Sequence, residues 1–155
     1  MLFPAVALPL LLAVADRPHL PRLAALAAWP VELCVLALAG TVATAAGVLD
    51  WRFHRWGGRA ISRAERRAEL AALALGGVLF ALLVAASLCD PRPALLLLIT
   101  IVALGVAGLI AFDEQRFHRR CGRYERALHR LLVGGNGLAF LAWSHWCLAR
   151  SGTLG

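Results

Sequence analysis

The chain has 155 residues, 61% of them hydrophobic, and a formal charge of +7 from 16 basic and 9 acidic residues. A soluble domain of this size is about half apolar, so the composition excludes an ordinary soluble fold and points to one membrane domain. Every basic residue is Arg, and twelve of the sixteen fall in two short segments between apolar runs, a pattern of membrane orientation rather than of a nucleic-acid partner.

Residues 2–15 are apolar but short. As a helix they would reach roughly 21 Å, against about 30 Å of hydrocarbon, and Pro4 and Pro9 lie inside the run. A signal peptide is the competing reading. However, a basic leading region is missing, and Asp16-Arg17-Pro18 stands where small residues would mark cleavage. We expect a short first membrane helix, with a re-entrant or interfacial segment as the alternative. Pro18, Pro21 and Pro30 then break the chain.

The next helix is predicted over about 30–49, with Pro30 tolerated at its start. Small residues recur at four-residue spacing, as Ala39 with Ala43, Gly40 with Thr44, and Ala43 with Gly47. In lipid that is a face for close helix packing. Residues 51–67 form the first basic loop, with six Arg. Within it Ser62-Arg63-Ala64-Glu65 reads as a capping box, so a helix should run from Arg63 to about Leu88. Glu65 and Glu69, one turn apart among Arg residues, read as a solvated helix start.

Cys89-Asp90-Pro91-Arg92-Pro93 predicts a tight turn, and residues 94–112 a helix with no charge at all. Residues 113–130 form the second basic loop, again with six Arg, and the last helix is predicted over about 124–149. Gly134-Gly135-Asn136-Gly137 lies in it; glycine weakens a helix but admits a close neighbour, and Asn136 should hydrogen-bond to an adjacent helix. Trp143 and Trp146 at one end, and Trp51, Trp56 and Tyr124 at the other, read as interfacial aromatic belts.

Arg52-Phe53-His54-Arg55 recurs as Arg116-Phe117-His118-Arg119, 64 residues on, each copy between two apolar runs. The fold class expected is therefore all-α: a multi-pass transmembrane bundle of four to five helices with a duplicated helix–basic loop–helix unit, over about 31–88 and 94–149. The positive-inside rule puts both Arg-rich loops in the cytoplasm of a bacterium. The chain then sits in the inner membrane with its C-terminus in the periplasm.

Gly47-Val48-Leu49-Asp50-Trp51, and more faintly Leu2-Phe3-Pro4 followed by Ala5-Val6-Ala7-Leu8, resemble two signatures of a bacterial membrane family labelled domain of unknown function 2231. The family opens with His-Phe-Pro and ends its second helix in a Thr-Gly-Leu-Leu-Asp-Trp type motif. Here Leu2 holds the His position and Ala46 the Thr position. The resemblance spans roughly residues 2–115 and implies architecture; the family brings no activity to carry over.

Four constellations carry chemistry. Haem b would need paired His ligands on facing helices, and His54, His118 and His129 near the Arg-rich end are the candidates. Cys34, Cys89 and Cys147, with Glu32, Asp90, His19 and His145 at similar depth, would suit a soft metal at the other end, although His145 and Cys147 do not share a helix face. None of the four cysteines, the fourth being Cys121, forms a Cys-x-x-Cys pair. Arg52, Arg55, Arg59, Arg116, Arg119 and Arg123 should contact anionic lipid headgroups. Transport would call for ionisable residues within the membrane; Asp50, Asp113 and Glu114 sit at its inner boundary, where pairing with Arg is expected. No catalytic set stands out. The function expected is a small non-catalytic accessory or structural subunit of an inner-membrane complex, with a redox complex as its more specific form. Its partners would be other membrane subunits or copies of itself. A haem b electron-transfer protein and a small-solute transporter are the alternatives.

Overall fold

A computed structural model describes residues 29–56, 62–89, 92–117 and 122–150. They form four helices: α1, Val31–Trp56; α2, Arg63–Leu88; α3, Pro93–Phe117; and α4, Arg123–Arg150. Each is long and apolar enough to cross a membrane, since about 20 helical residues span the hydrocarbon core. The chain is an all-α integral membrane bundle. The expected helix over residues 2–15, and His19, lie outside the described residues, as do Arg59, His118, Arg119 and Cys121.

Two helices are longer than their apolar runs predict. α1 continues through Asp50 to Trp56, and α3 through Asp113 to Phe117. Leaving the apolar phase does not end a helix, because the backbone ladder continues until a residue breaks it. In α1 the last turn also carries His54 and Arg55, which suit the negative end of the helix dipole. The first Arg-Phe-His-Arg motif is therefore helical rather than a loop.

The helices pack as two pairs, α1 along α4 and α2 along α3. The first pair is tight for the reason the sequence suggested. Ala39, Gly40, Ala43 and Ala46 are all buried. Opposite them a Cβ at Gly135 would meet the Ala39 carbonyl oxygen at 2.8 Å and the Ala43 Cβ at 3.0 Å. Only glycine permits that approach of two backbones. Between α2 and α3 the comparable place is Gly105, where a Cβ would lie 3.2 Å from a Leu75 methyl.

At the end away from the Arg residues, Leu33, Leu36, Ala86, Ile99, Trp143, Trp146 and Cys147 make the main core. Trp143, expected at the interface, is only 1% exposed. Its indole Nε1 donates to Ser87 Oγ at 2.9 Å, and that hydroxyl in turn donates to the Leu83 carbonyl. A buried indole needs such a partner, and this one ties α4 to α2. Trp146 is buried beside it. At the other end Trp51, Trp56 and Tyr124 are more than half exposed, as a belt requires.

The seam between the two pairs is not filled. Two cavities of about 250 and 210 Å³ lie along it. They share Leu73, Ile110 and Asn136 as common walls.

Candidate functional site

The Arg-rich ends of the four helices close around the larger cavity. Asp50 and His54 reach it from α1, Glu69 from α2, Asp113 from α3 and His129 from α4. The placement follows from helical spacing. Asp50 and His54 are four residues apart and share a face of α1, as Glu125 and His129 do on α4. With α1 held against α4, the two acid–imidazole pairs meet.

They meet at Asp50. Its Oδ1 stands 3.6 Å from His54 Nε2, and its Oδ2 stands 3.9 Å from His129 Nε2. Beyond His54 lies Glu125, with Oε1 at 3.4 Å from the same Nε2. Beyond His129 lies Glu114, with Oε2 at 3.3 Å from Nδ1. The order is Glu125, His54, Asp50, His129, Glu114, carboxylate alternating with imidazole across three helices. These separations exceed the 2.7–3.2 Å of ordinary hydrogen bonds. They are close acid–imidazole contacts rather than hydrogen bonds.

The cluster is covered at its centre and open at Glu114, whose side chain is 42% exposed. Glu125 is 3% and Asp113 9% exposed, and the side chain of His54 is 10% exposed. His54 Nε2 faces two carboxylates, while its Nδ1 is buried with no hydrogen-bond partner. A buried ring nitrogen left in that state costs about 1–3 kcal/mol. Phe53 packs against both the His54 ring and Tyr124, at 5.5 and 5.6 Å between centroids. It holds the end of α1 against the start of α4.

Part of this was missed in the sequence. Glu125 was not singled out, and Asp50, Asp113 and Glu114 were read as boundary acids beside Arg. A signal was available: Arg63-Ala64-Glu65-Arg66 recurs as Arg123-Tyr124-Glu125-Arg126, and Glu69 then aligns with His129. Both glutamates occupy the third position of their helix and both are buried, at 1% and 3% exposed. Glu65 is no solvated residue; it accepts from the Ser62 amide, and Ser62 Oγ accepts from the Glu65 amide at 3.1 Å. The second copy has Gly122 in place of Ser62, so the hydroxyl that accepts from the Glu65 amide has no counterpart there, and the Glu125 carboxylate lies 3.4 Å from His54 Nε2.

The other predicted residues fall as follows. Of the three proposed haem ligands, His54 and His129 come together and His118 lies outside the described residues. Arg52, Arg55, Arg116 and Arg123 are exposed at the one end. Arg52 lies 4.9 Å from the Trp56 ring and Arg55 5.3 Å from the Trp51 ring, which pins guanidinium and indole together at that boundary. Asn136 does not bridge to a neighbour; its Nδ2 donates to the Leu132 carbonyl in its own helix, and its side chain lines both cavities. At the opposite end His145 Nδ1 donates to Glu32 Oε1 at 2.8 Å, while Cys147 is fully buried. Among the described residues no three His, Cys, Asp or Glu side chains are disposed to hold a metal ion.

Comparison with protein-family models, with curated proteins and with solved structures yields no match.

Proposed function

We propose that this chain is a small non-catalytic subunit of a bacterial inner-membrane assembly, with its Arg-rich end cytoplasmic and its C-terminus periplasmic. The observation that carries the reading is a set of glycines that nothing among the described residues explains. A Cβ added at Gly108 on α3, or at Gly134 or Gly137 on α4, would meet no atom of the described residues within 4 Å. Each glycine costs about 1 kcal/mol in a helix relative to Ala, and lipid alone gives no return for it. A helix from a partner approaching closely does. α3 agrees, with only 6% of its apolar window buried, against 33% for α1. Leu97, Ile101, Leu104 and Phe112 stand exposed along it with Gly108. Membership of the family labelled domain of unknown function 2231 is put forward with this reading, on Gly47-Val48-Leu49-Asp50-Trp51, whose Asp50 is the hub of the acid–imidazole chain.

Purification from native membranes in mild detergent tests it. A stoichiometric membrane partner, or a defined homo-oligomer, should accompany the chain and be lost on Gly108→Leu or Gly134→Leu while the isolated helices stay folded. Recovery of the chain alone and monomeric would sink the proposal. A reporter fused after Gly155 should read out in the periplasm; a cytoplasmic signal would reverse the orientation.

A second reading, haem b electron transfer, has one observation in its favour: His54 and His129 come from facing helices into one chamber. Against it, the carboxylate of Asp50 stands beside both Nε2 atoms, where an iron would have to sit. The cavity of about 250 Å³ also falls short of the 300–1,000 Å³ usual even for small-molecule sites. A dithionite-reduced spectrum with an α-band would reverse this ranking.

A further inference from the structure

We infer that the smaller cavity, between Asn136 and Trp143, is a binding site for a neutral phenol of a single ring.

The walls decide what fits. Leu83 and Val106 give aliphatic surface, and Phe80, Phe140 and Trp143 give aromatic surface. The Phe140 and Trp143 rings stand 6.2 Å apart and 26° from parallel, and aromatic walls of this kind favour a further ring. Among the described residues no ionisable side chain lines the cavity, so a charged ligand would be buried without a partner. The volume of about 210 Å³ sets the size. Roughly 150 Å³ of dry apolar space holds one benzene, and drug-sized ligands need roughly 300 Å³ or more. One substituted ring lies between these limits.

The wall is hollowed by glycine. Gly76 and Gly77 of α2 both line the cavity, and a Cβ at either would meet no atom of the described residues within 4 Å. Each costs about 1 kcal/mol in a helix relative to Ala. Gly135 is explained by the α1 backbone pressed against it. Gly76 and Gly77 have no such neighbour among the described residues, and the space beside them is the cavity. Gly108, Gly134 and Gly137 line neither cavity, so the two sets of glycines serve different faces.

Asn136 supplies the polar group. An Asn side chain has two N–H donors and two lone pairs on its oxygen. Among the described residues this one makes a single hydrogen bond, from Nδ2 to the Leu132 carbonyl. The residue is exposed and forms a wall common to both cavities. A lipid acyl chain against it would leave the amide oxygen without a donor, at a cost of about 1–3 kcal/mol. A ketone has no hydrogen to give that oxygen. A hydroxyl has one. The indole N–H of Trp143 is already given to Ser87, so in this wall the hydroxyl is read by Asn136.

The test is a titration of the full chain in lipid nanodiscs with 4-fluorophenol and with 4-fluorotoluene, which puts a methyl in place of the hydroxyl. Both are dosed at equal mole fraction in the bilayer and followed by the side-chain ¹⁵N signals of Trp143 and Asn136. 4-Fluorophenol should move both signals and saturate. 4-Fluorotoluene should need about tenfold more, the range of one hydrogen bond in a dry site. Asn136→Leu should abolish that preference and leave 4-fluorotoluene unchanged, with Asn136→Ala as the second variant if the first does not fold. Gly77→Leu fills the hollow and removes no polar group, so it should weaken both probes by about tenfold or more; Gly76→Leu repeats it. Circular dichroism checks folding throughout. No saturable shift from either probe, the result expected if an acyl chain fills the seam, would overturn the inference. So would equal binding of the two probes, a preference that survives loss of Asn136, or binding untouched by both glycine changes. None of these residues carries the subunit reading, so either proposal can fail without the other.

Discussion

The two Arg-x-Glu-Arg segments share one sequence pattern and do different work. In the first, Ser62 and Glu65 satisfy each other across the start of α2. In the second, Gly122 replaces the serine, and Glu125 turns to His54 while His129 takes the place of Glu69. The lesson is that a buried glutamate at the third helical position is not in itself a functional signal. What decides its role is what faces it from the helix packed against it.

The comparison can be broken or sharpened by substitution. The largest effect should come from Gly135→Leu, which drives a side chain into the Ala39 carbonyl and Ala43. Overpacking of this kind costs about 1–3 kcal/mol or more, and it parts α1 from α4, so the first cap should survive while the chamber opens. Unfolding in mixed micelles should show the loss, and a native-like transition would contradict the packing described. Next, Glu125→Ala removes a carboxylate from beside a buried imidazole and should cost about 1–3 kcal/mol. It should also move the imidazole ¹⁵N signals of His54, whereas Glu65→Ala should leave them in place.

Smaller still is Ser62→Ala, which should destabilise by about 1 kcal/mol through the lost cap alone, with the His54 signals unchanged. The smallest is Gly122→Ser. It rebuilds the cap in the second copy, where Ser and Gly differ by only a few tenths of a kcal/mol as N-caps. The new hydroxyl would accept from the Glu125 amide and leave the carboxylate beside His54, so the His54 ¹⁵N signals should stay in place. A shift toward those of Glu125→Ala would mean that the cap governs the side chain.

Much of the fold was legible because membrane helices leave a coarse signature. Apolar length, the Ser62 cap and the Ala39/Ala43 face all predict what α1 and α2 do. The helix ends at Trp56 and Phe117 were not legible, since charged residues after an apolar run can belong to a loop or to the last turns of a helix. Trp143 and Trp146 were misassigned because an aromatic belt and a buried core both call for tryptophan near a helix end. Only the tertiary partner, Ser87 on another helix, distinguishes them. The site was half legible: His54 and His129 stood out by type. Asp50, Asp113, Glu114 and Glu125 were hidden by the surrounding Arg, which made every acid look like a surface partner.

The most direct test of the account is the sharing of Asp50 by His54 and His129. Imidazole ¹⁵N spectra of the full chain in a bilayer mimic, native against Asp50→Asn, measure it. The structure predicts that signals of both His54 and His129 move together while those of His145, held by Glu32 at the opposite end, stay fixed. Movement of only one of the two, or of His145 as much as either, would contradict the chamber.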